Sequence, residues 1–359
     1  MKAGLKERVK DMTKHMFAGA NTPIGFVDFF DNIMPLEKAK KRYYLKGSSG
    51  SGKSTFIKKI SEEFEALKID MEKFHCANDI DSLDALSVGS KGLCILDATQ
   101  PHSRDPEIPI AIDRIIDFAK FIDKQKIDPY VDEIKSLLKA KKHLNEKVSA
   151  YLAAVGSIYL ADNGAYKAAL KKHYLNELLQ KWLKLLDIEK THSFSGIDRK
   201  LFISAITPDG FISFAKNHFE GCKVYGLCGA SGFVAHIFLS QLRDKANACG
   251  MNTESFYRPF APEQLEYLHL PEINTAFAIL DDHFGYDGDV KEKIDMSNCV
   301  KLKTSEGGDC TLFHKTLKTI INLMYSSRTY HIKVEEIYSN AIDFEEVQRF
   351  TEKAIYELL

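Results

Sequence analysis

Gly47-Ser48-Ser49-Gly50-Ser51-Gly52-Lys53-Ser54-Thr55 decides the fold. Gly47, Gly52, Lys53 and Ser54 satisfy G-x-x-x-x-G-K-[ST] in full, with the apolar run Tyr43-Tyr44-Leu45 before them and Phe56-Ile57-Lys58-Lys59-Ile60 after them. A buried strand, a glycine-rich turn and an amphipathic helix are the setting in which this pattern binds phosphate. Glycine admits positive φ, so that successive loop N–H groups can converge on an anion. On that logic Gly47, Ser48, Ser49, Gly50, Ser51 and Gly52 cradle the phosphates of a nucleotide. Lys53 reaches the β- and γ-phosphates, Ser54 ligates Mg²⁺, Thr55 supports the α-phosphate, and the helix presents its positive end. A Gly/Ser linker that happens to precede a lysine is the plain alternative, and the flanking elements argue against it.

Working outward, the spacing predicts a strand over 42–45 and a helix over 53–67 with Phe56, Ile57, Ile60 and Phe64 inward. A strand over 71–76 and a short helix over 82–86 follow. Leu93-Cys94-Ile95-Leu96 reads as a buried parallel strand ending in Asp97, where a second Mg²⁺ ligand belongs. No glutamate follows Asp97. Gln100 is placed to orient a water, and His102 to accept a proton or meet the γ-phosphate, unless both lie on a solvent-facing turn. The catalytic set expected from sequence is therefore Lys53, Asp97, Gln100 and His102, with Ser54 and Asp97 on the metal.

The chain also repeats itself. Phe17, Ala20, Thr22, Pro23, Gly25, Phe26, Phe29 and Asn32 recur in order as Phe202, Ala205, Thr207, Pro208, Gly210, Phe211, Phe214 and Asn217. Thr22-Pro23 and Thr207-Pro208 read as helix N-caps followed by proline at the first helical position. Val224 to Phe233 echoes the strand and glycine turn, and Phe277 to Asp281 echoes Leu93 to Asp97. In the second copy the position of Lys53 falls on Gly232 or Phe233, so Mg·ATP binding is not expected there. Two α/β P-loop NTPase domains in tandem, each a parallel sheet flanked by helices and followed by a helical cap, are expected over 1–192 and 193–359. The first cap runs over about 129–187 and reads as a helical hairpin; strands over 114–118 and 299–302 and helices over 313–328 and 343–359 complete the pattern. The two halves would form an intramolecular pseudo-dimer, with Arg258 a candidate to reach across to the nucleotide.

At 359 residues the chain can bury more than one core, and its 28% charged content is that of a globular protein. The formal net charge of −1 gives no pull toward nucleic acid, and the lysines of 129–187 are interleaved with acids. No apolar run is long enough to span a membrane, and the first residues, read as a mixed-charge helix over 1–16, lack the core of a signal peptide, so a cytoplasmic protein is expected. The seven cysteines include no C-x-x-C pair, which argues against a structural zinc and a disulfide framework.

Phe17 to Phe26 (FAGANTPIGF), the phosphate loop, Ile95 to Pro106 (ILDATQPHSRDP) and Phe202 to Phe211 (FISAITPDGF) together resemble bacterial proteins described as tandem P-loop ATPases or nucleotide-kinase-like ATP-binding proteins. The resemblance spans essentially the whole chain. It implies the fold and ATP as ligand, with no assigned substrate; members commonly keep a P-loop in the second half, and the missing lysine here departs from that. Slow ATP hydrolysis by the first domain, phosphoryl transfer to a small molecule, and a non-catalytic nucleotide-sensing scaffold are the functions left open. The absence of a guanine-reading N/T-K-x-D element after Asp97 favours adenine.

Overall fold

The first half runs β1 (Thr13–Met16), β2 (Gly19–Thr22), β3 (Gly25–Asp28), β4 (Lys41–Lys46), α1 (Lys53–Ala66), β5 (Met71–Cys76), β6 (Asp79–Val88), β7 (Leu93–Asp97) and β8 (Asp113–Asp117). Helices α2 (Lys124–Ile127), α3 (Val131–Leu160), α4 (Asn163–Ala169) and α5 (Lys172–Leu185) follow. The second half runs β9 (Asp198–Leu201), β10 (Ser204–Thr207), β11 (Gly210–Ser213), α6 (Ala215–His218), β12 (Lys223–Cys228), α7 (Gly232–Ala248), β13 (Thr253–Arg258), β14 (Ala261–Leu270), β15 (Thr275–Ile279), β16 (Glu292–Asp295), α8 (Cys310–Ser339) and α9 (Phe344–Leu358). This computed structural model describes residues 13–188, 194–280, 283–301 and 310–358. None of the helices among them is long and apolar enough to cross a membrane.

The two halves share one α/β topology. The first six-stranded sheet has the order β1-β5-β6-β7-β4-β8 and the second β9-β13-β14-β15-β12-β16, with a two-stranded hairpin beside each. Each sheet is mixed rather than parallel, because β6 and β14 run antiparallel to both neighbours. The short helix expected over 82–86 is therefore part of strand β6. Buried on both faces from Leu83 onward, β6 reads in sequence like a short buried helix, since periodicity does not separate the two. β16 takes the sheet-edge place expected for a strand over 299–302, whose last residue lies outside the described residues, and the last residues of the expected N-terminal helix form β1; the rest of that helix, 1–12, likewise lies outside the described residues.

The Thr-Pro landmarks are β-turns, not helix caps. Thr22 Oγ1 donates to Gly25 O (2.6 Å) and accepts from Ile24 N (3.3 Å), and Thr207 repeats both bonds with Gly210 O and Asp209 N. Gly25 at φ +109 and Gly210 at φ +123 supply the left-handed residue that closes each hairpin.

The helices cross between the halves. The apolar faces of α3 and α5 do not close into a hairpin. Instead α3 packs antiparallel along α8, with Asn145 bonded to Ser327 and Lys141 to His331. Helix α5 buries Leu175, Leu179 and Trp182 against α7 and the second sheet, whereas α9 buries Val347 and Leu358 with Phe56, Phe118 and Phe121 of the first. Matching backbone bridges pin the exchange: Ile122 pairs with Ile342, and Leu170 with Val300. Arg199 fastens the halves again, spanning Glu72 (2.6 and 2.7 Å) and Glu254 (3.2 Å).

Candidate functional site

Strand β4 delivers the chain into the glycine loop, and α1 leaves it directly. Gly47 (φ +142), Gly50 (φ +73) and Gly52 (φ +92) take backbone conformations that side chains disfavour. Lys53 is almost fully buried, and its ammonium donates to Gly47 O (3.0 Å) and Ser48 O (2.8 Å), holding the loop wrapped around it. The hydroxyls of Ser48 and Ser51 are buried without a hydrogen-bond partner. Orphaned donors beside a buried ammonium are what a phosphate would satisfy. Ser54 Oγ accepts from Leu83 N (3.0 Å), which fixes its position on the first turn of α1, while Thr55 is exposed at the rim.

Asp97 ends β7 beside this loop. One carboxylate oxygen accepts from Thr99 N (2.9 Å) and Thr99 Oγ1 (2.6 Å), and the other lies 3.5 Å from Lys53 Nζ. His102 is not on a solvent-facing turn: it is 4% exposed, stacked on Phe30 at 4.4 Å, with Nδ1 bonded to Asp97 O at 2.9 Å. That bond turns Nε2 toward Asp84, 3.8 Å away. Gln100 is exposed at the mouth.

Asp84 is the residue that sequence reasoning missed. It lies on β6, buried, facing the same cleft as Lys53, Asp97 and His102. Burial pushes its carboxyl up to about 6, with His102 and Lys53 pulling down and Asp97 pushing up. The one sequence signal was a lone aspartate in the apolar run Leu83-Asp84-Ala85-Leu86.

The far wall of the cleft comes from two antiparallel helices, α3 of the same half and α8 of the other. Lys141 of α3 and His331 and Glu335 of α8 enclose, with the loop, a cavity of about 510 Å³. Burial and the neighbouring Lys141 lower His331 to about 4, so its neutral Nδ1 accepts from Lys141 Nζ at 2.7 Å while Nε2 faces Glu335 at 3.4 Å. The α8 backbone sits so close that a Cβ on Gly50 would come within 2.5 Å of Glu335 O. Arg258 is placed elsewhere: it is buried, bonded to Tyr159 and lies over the Tyr159 and Phe260 rings.

The second half has the strands of this site without its chemistry. In register, Lys41 opposite Leu93 corresponds to Lys223 opposite Thr275, and Cys76 opposite Asp79 to Arg258 opposite Ala261. One constant shift carries Asp97 onto Ile279, not Asp281, Lys53 onto Ala235, not Gly232 or Phe233, and Ser54 onto His236, two or three residues beyond where the sequence alignment puts it, on Phe233 or Val234. The inward faces agree, since Phe56, Ile57 and Ile60 correspond to Phe238, Leu239 and Leu242. His236 even keeps the bond of Ser54, its Nδ1 accepting from Leu265 N (3.0 Å) as Ser54 accepts from Leu83. Only Gly229-Ala230-Ser231 separates β12 from α7, because the helix starts early and consumes the loop. Phe260, Phe284 and Phe313 pack together where the first half has its cleft. Glu266, the counterpart of Asp84, is buried and pushed to about 7 by burial.

No protein-family model, curated protein or solved structure matches the chain.

Proposed function

We propose that the first half binds Mg·ATP and hydrolyses it slowly, the second half having become a scaffold that supplies part of the far wall. The observation that carries this reading is the convergence of the buried Lys53 ammonium, the orphaned Ser51 hydroxyl and two carboxylates, Asp97 and Asp84, on one cleft, with a second orphaned hydroxyl, Ser48, in the same loop. Lys53 and the loop would take the phosphates; Ser54 and Asp97 are the oxygen donors suited to Mg²⁺, which when bound offsets charge building on the phosphate oxygens.

Asp84 is the general base of this proposal. Its raised carboxyl is ionised at neutral pH yet basic enough to take a proton from an attacking water, which Gln100 orients at the mouth. His102, held at Nδ1 by Asp97 O, stands ready to receive the proton from Asp84 at Nε2. A second reading, phosphoryl transfer to a small molecule, draws on the polar wall of Lys141, His331 and Glu335, which leaves room for an acceptor beyond the phosphates. In that case Asp84 takes the proton of an acceptor hydroxyl.

Calorimetric titration of Mg·ATP into the wild-type chain and Lys53→Ala, with phosphate assayed in the same samples, tests this. One site lost in the mutant, with phosphate released by the wild type, is expected. Two sites, or one that survives the mutation, would overturn it; phosphate appearing on an added metabolite instead of in solution would select the kinase reading.

A further inference from the structure

A second group of ligand-forming side chains lies well away from the phosphate loop, on the seam between the halves. His218 ends α6, Glu254 lies on β13 and His269 on β14, and their ligand atoms all fall within 4.8 Å of one another. Glu254 Oε2 is 2.8 Å from His269 Nδ1 and 3.9 Å from His218 Nε2. The other oxygen, Oε1, is already engaged by Arg199 at 3.2 Å. One carboxylate oxygen is thus fixed by an arginine, and the other is aimed between two imidazoles.

His218 is what the hydrogen bonds leave unexplained. It is 5% exposed, packed edge-on against Phe219 and Phe256, and neither ring nitrogen has a hydrogen-bond partner. Burying both polar atoms of an imidazole with nothing to bond is costly, because each loses its water without a replacement partner. Arg199 also faces two carboxylates at once, Glu72 and Glu254. A proton on His269 would balance that charge, but it leaves His218 idle. A divalent cation among the three side chains would give His218 a partner and Glu254 a countercharge at once.

We propose that His218, Glu254 and His269 form a binding site for a divalent transition metal, zinc in the first instance, which ties α6 to the second sheet beside the Arg199 bridge. Two imidazoles and a carboxylate are a donor set that zinc accepts, with a fourth position left to water. The surroundings match what such a site requires: Arg199 holds the far oxygen of the carboxylate, and Cys222 Sγ lies 3.9 Å from His269 Nε2, on the side of the ring away from Glu254, where it can accept that N–H. Cysteine spacing carries no trace of this site, because the ligands come from a helix and two strands separated along the chain.

The experiment uses the full chain, stripped with a chelator and titrated with Zn²⁺ by calorimetry and with Co²⁺ by visible absorption, followed by metal analysis after gel filtration. One ion per chain is expected, with a tetrahedral cobalt spectrum and a melting temperature that rises with Zn²⁺ and returns with chelator. His218→Gln should weaken binding by about a hundredfold or more while leaving the metal-free circular dichroism unchanged, since His218 has no hydrogen bond to lose. His269→Gln should also abolish binding, and should it fail to fold, His218→Gln decides alone. No stoichiometric ion in the wild type, or equal affinity in a folded His218→Gln, would overturn the proposal and leave a protonated imidazole as the partner of Glu254. Mg·ATP binding by the same samples reports separately on the phosphate loop.

Discussion

Phe17 and Phe202 donate backbone hydrogen bonds to each other, Phe17 N to Phe202 O at 2.9 Å and Phe202 N to Phe17 O at 3.1 Å. They are equivalent residues of the two repeats. An antiparallel bridge between equivalent positions is what a twofold axis produces, and both rings are wholly buried in one core. The chain is organised about that point, like a dimer whose two subunits are joined in one polypeptide.

Asp84→Asn should leave Mg·ATP binding intact and lower turnover by about 10²–10⁴-fold. The wild-type rate should rise as pH climbs through about 6, where the Asp84 carboxyl ionises, and this limb should vanish in the variant. Stability moves the opposite way. A carboxyl raised by burial binds its proton more tightly when folded, so its contribution favours the folded state near pH 4 and fades as pH rises through about 6. A pH–rate profile with a parallel melting series checks both signs.

Arg42 and Asp113 form a two-pronged buried pair, with Nε at 2.7 Å and a terminal nitrogen at 2.9 Å, and Asp113 also accepts from Glu107 N and Ile108 N. Together these anchor the far end of the loop that carries Gln100 and His102. Arg42→Met should cost about 3–5 kcal/mol by leaving Asp113 buried without its partner. Burial alone would raise the Asp113 carboxyl, yet Arg42 and the two amides hold it below the usual range. Its contribution is therefore complete above about pH 4 and lost as pH falls below that. Urea unfolding at several pH values measures it.

Gly50→Ala should displace α8 from the glycine loop. The φ of +73 alone costs about 1–2 kcal/mol for alanine, and the new methyl would meet the Glu335 backbone. Weakened nucleotide binding is expected, against no such loss in Gly164→Ala, where a Cβ meets open space.

Trp182→Ala should destabilise the second half, although Trp182 precedes it in sequence. Trp182 is 1% exposed and packs edge-on to Tyr225 (4.5 Å) and Phe277 (5.5 Å), so a loss of about 3–5 kcal/mol is expected in chemical denaturation. It is the single tryptophan of the chain, and its fluorescence in the wild type should therefore follow unfolding of the second sheet.

Local structure was legible in the sequence and pairing across distance was not. The loop 47–55, the inward face Phe56, Ile57, Ile60 and Phe64, and Asp97 at its strand end all follow from spacing, because each depends on near neighbours. The repeat was legible too, but its register was not: Asp281 imitates Asp97 in sequence while Ile279 holds its place in the sheet, since register is set by strand pairing. Thr22-Pro23 suits a helix cap and a hairpin turn equally, and only the partner strand decides. Asp84 was hidden because an acid inside an apolar strand announces nothing until its neighbours from β7 and the 98–113 loop are in place.

The ribosome delivers the chain from its N-terminus, so the first sheet and the glycine loop emerge long before α8 and α9 have been made. Until those last helices arrive, Phe56, Phe118 and Phe121 lack the cover of Val347 and Leu358, and the loop has no Glu335 backbone above it. A nascent chain cannot complete the packing of the earlier half first, because the wall over its glycine loop is supplied by α8 of the later half.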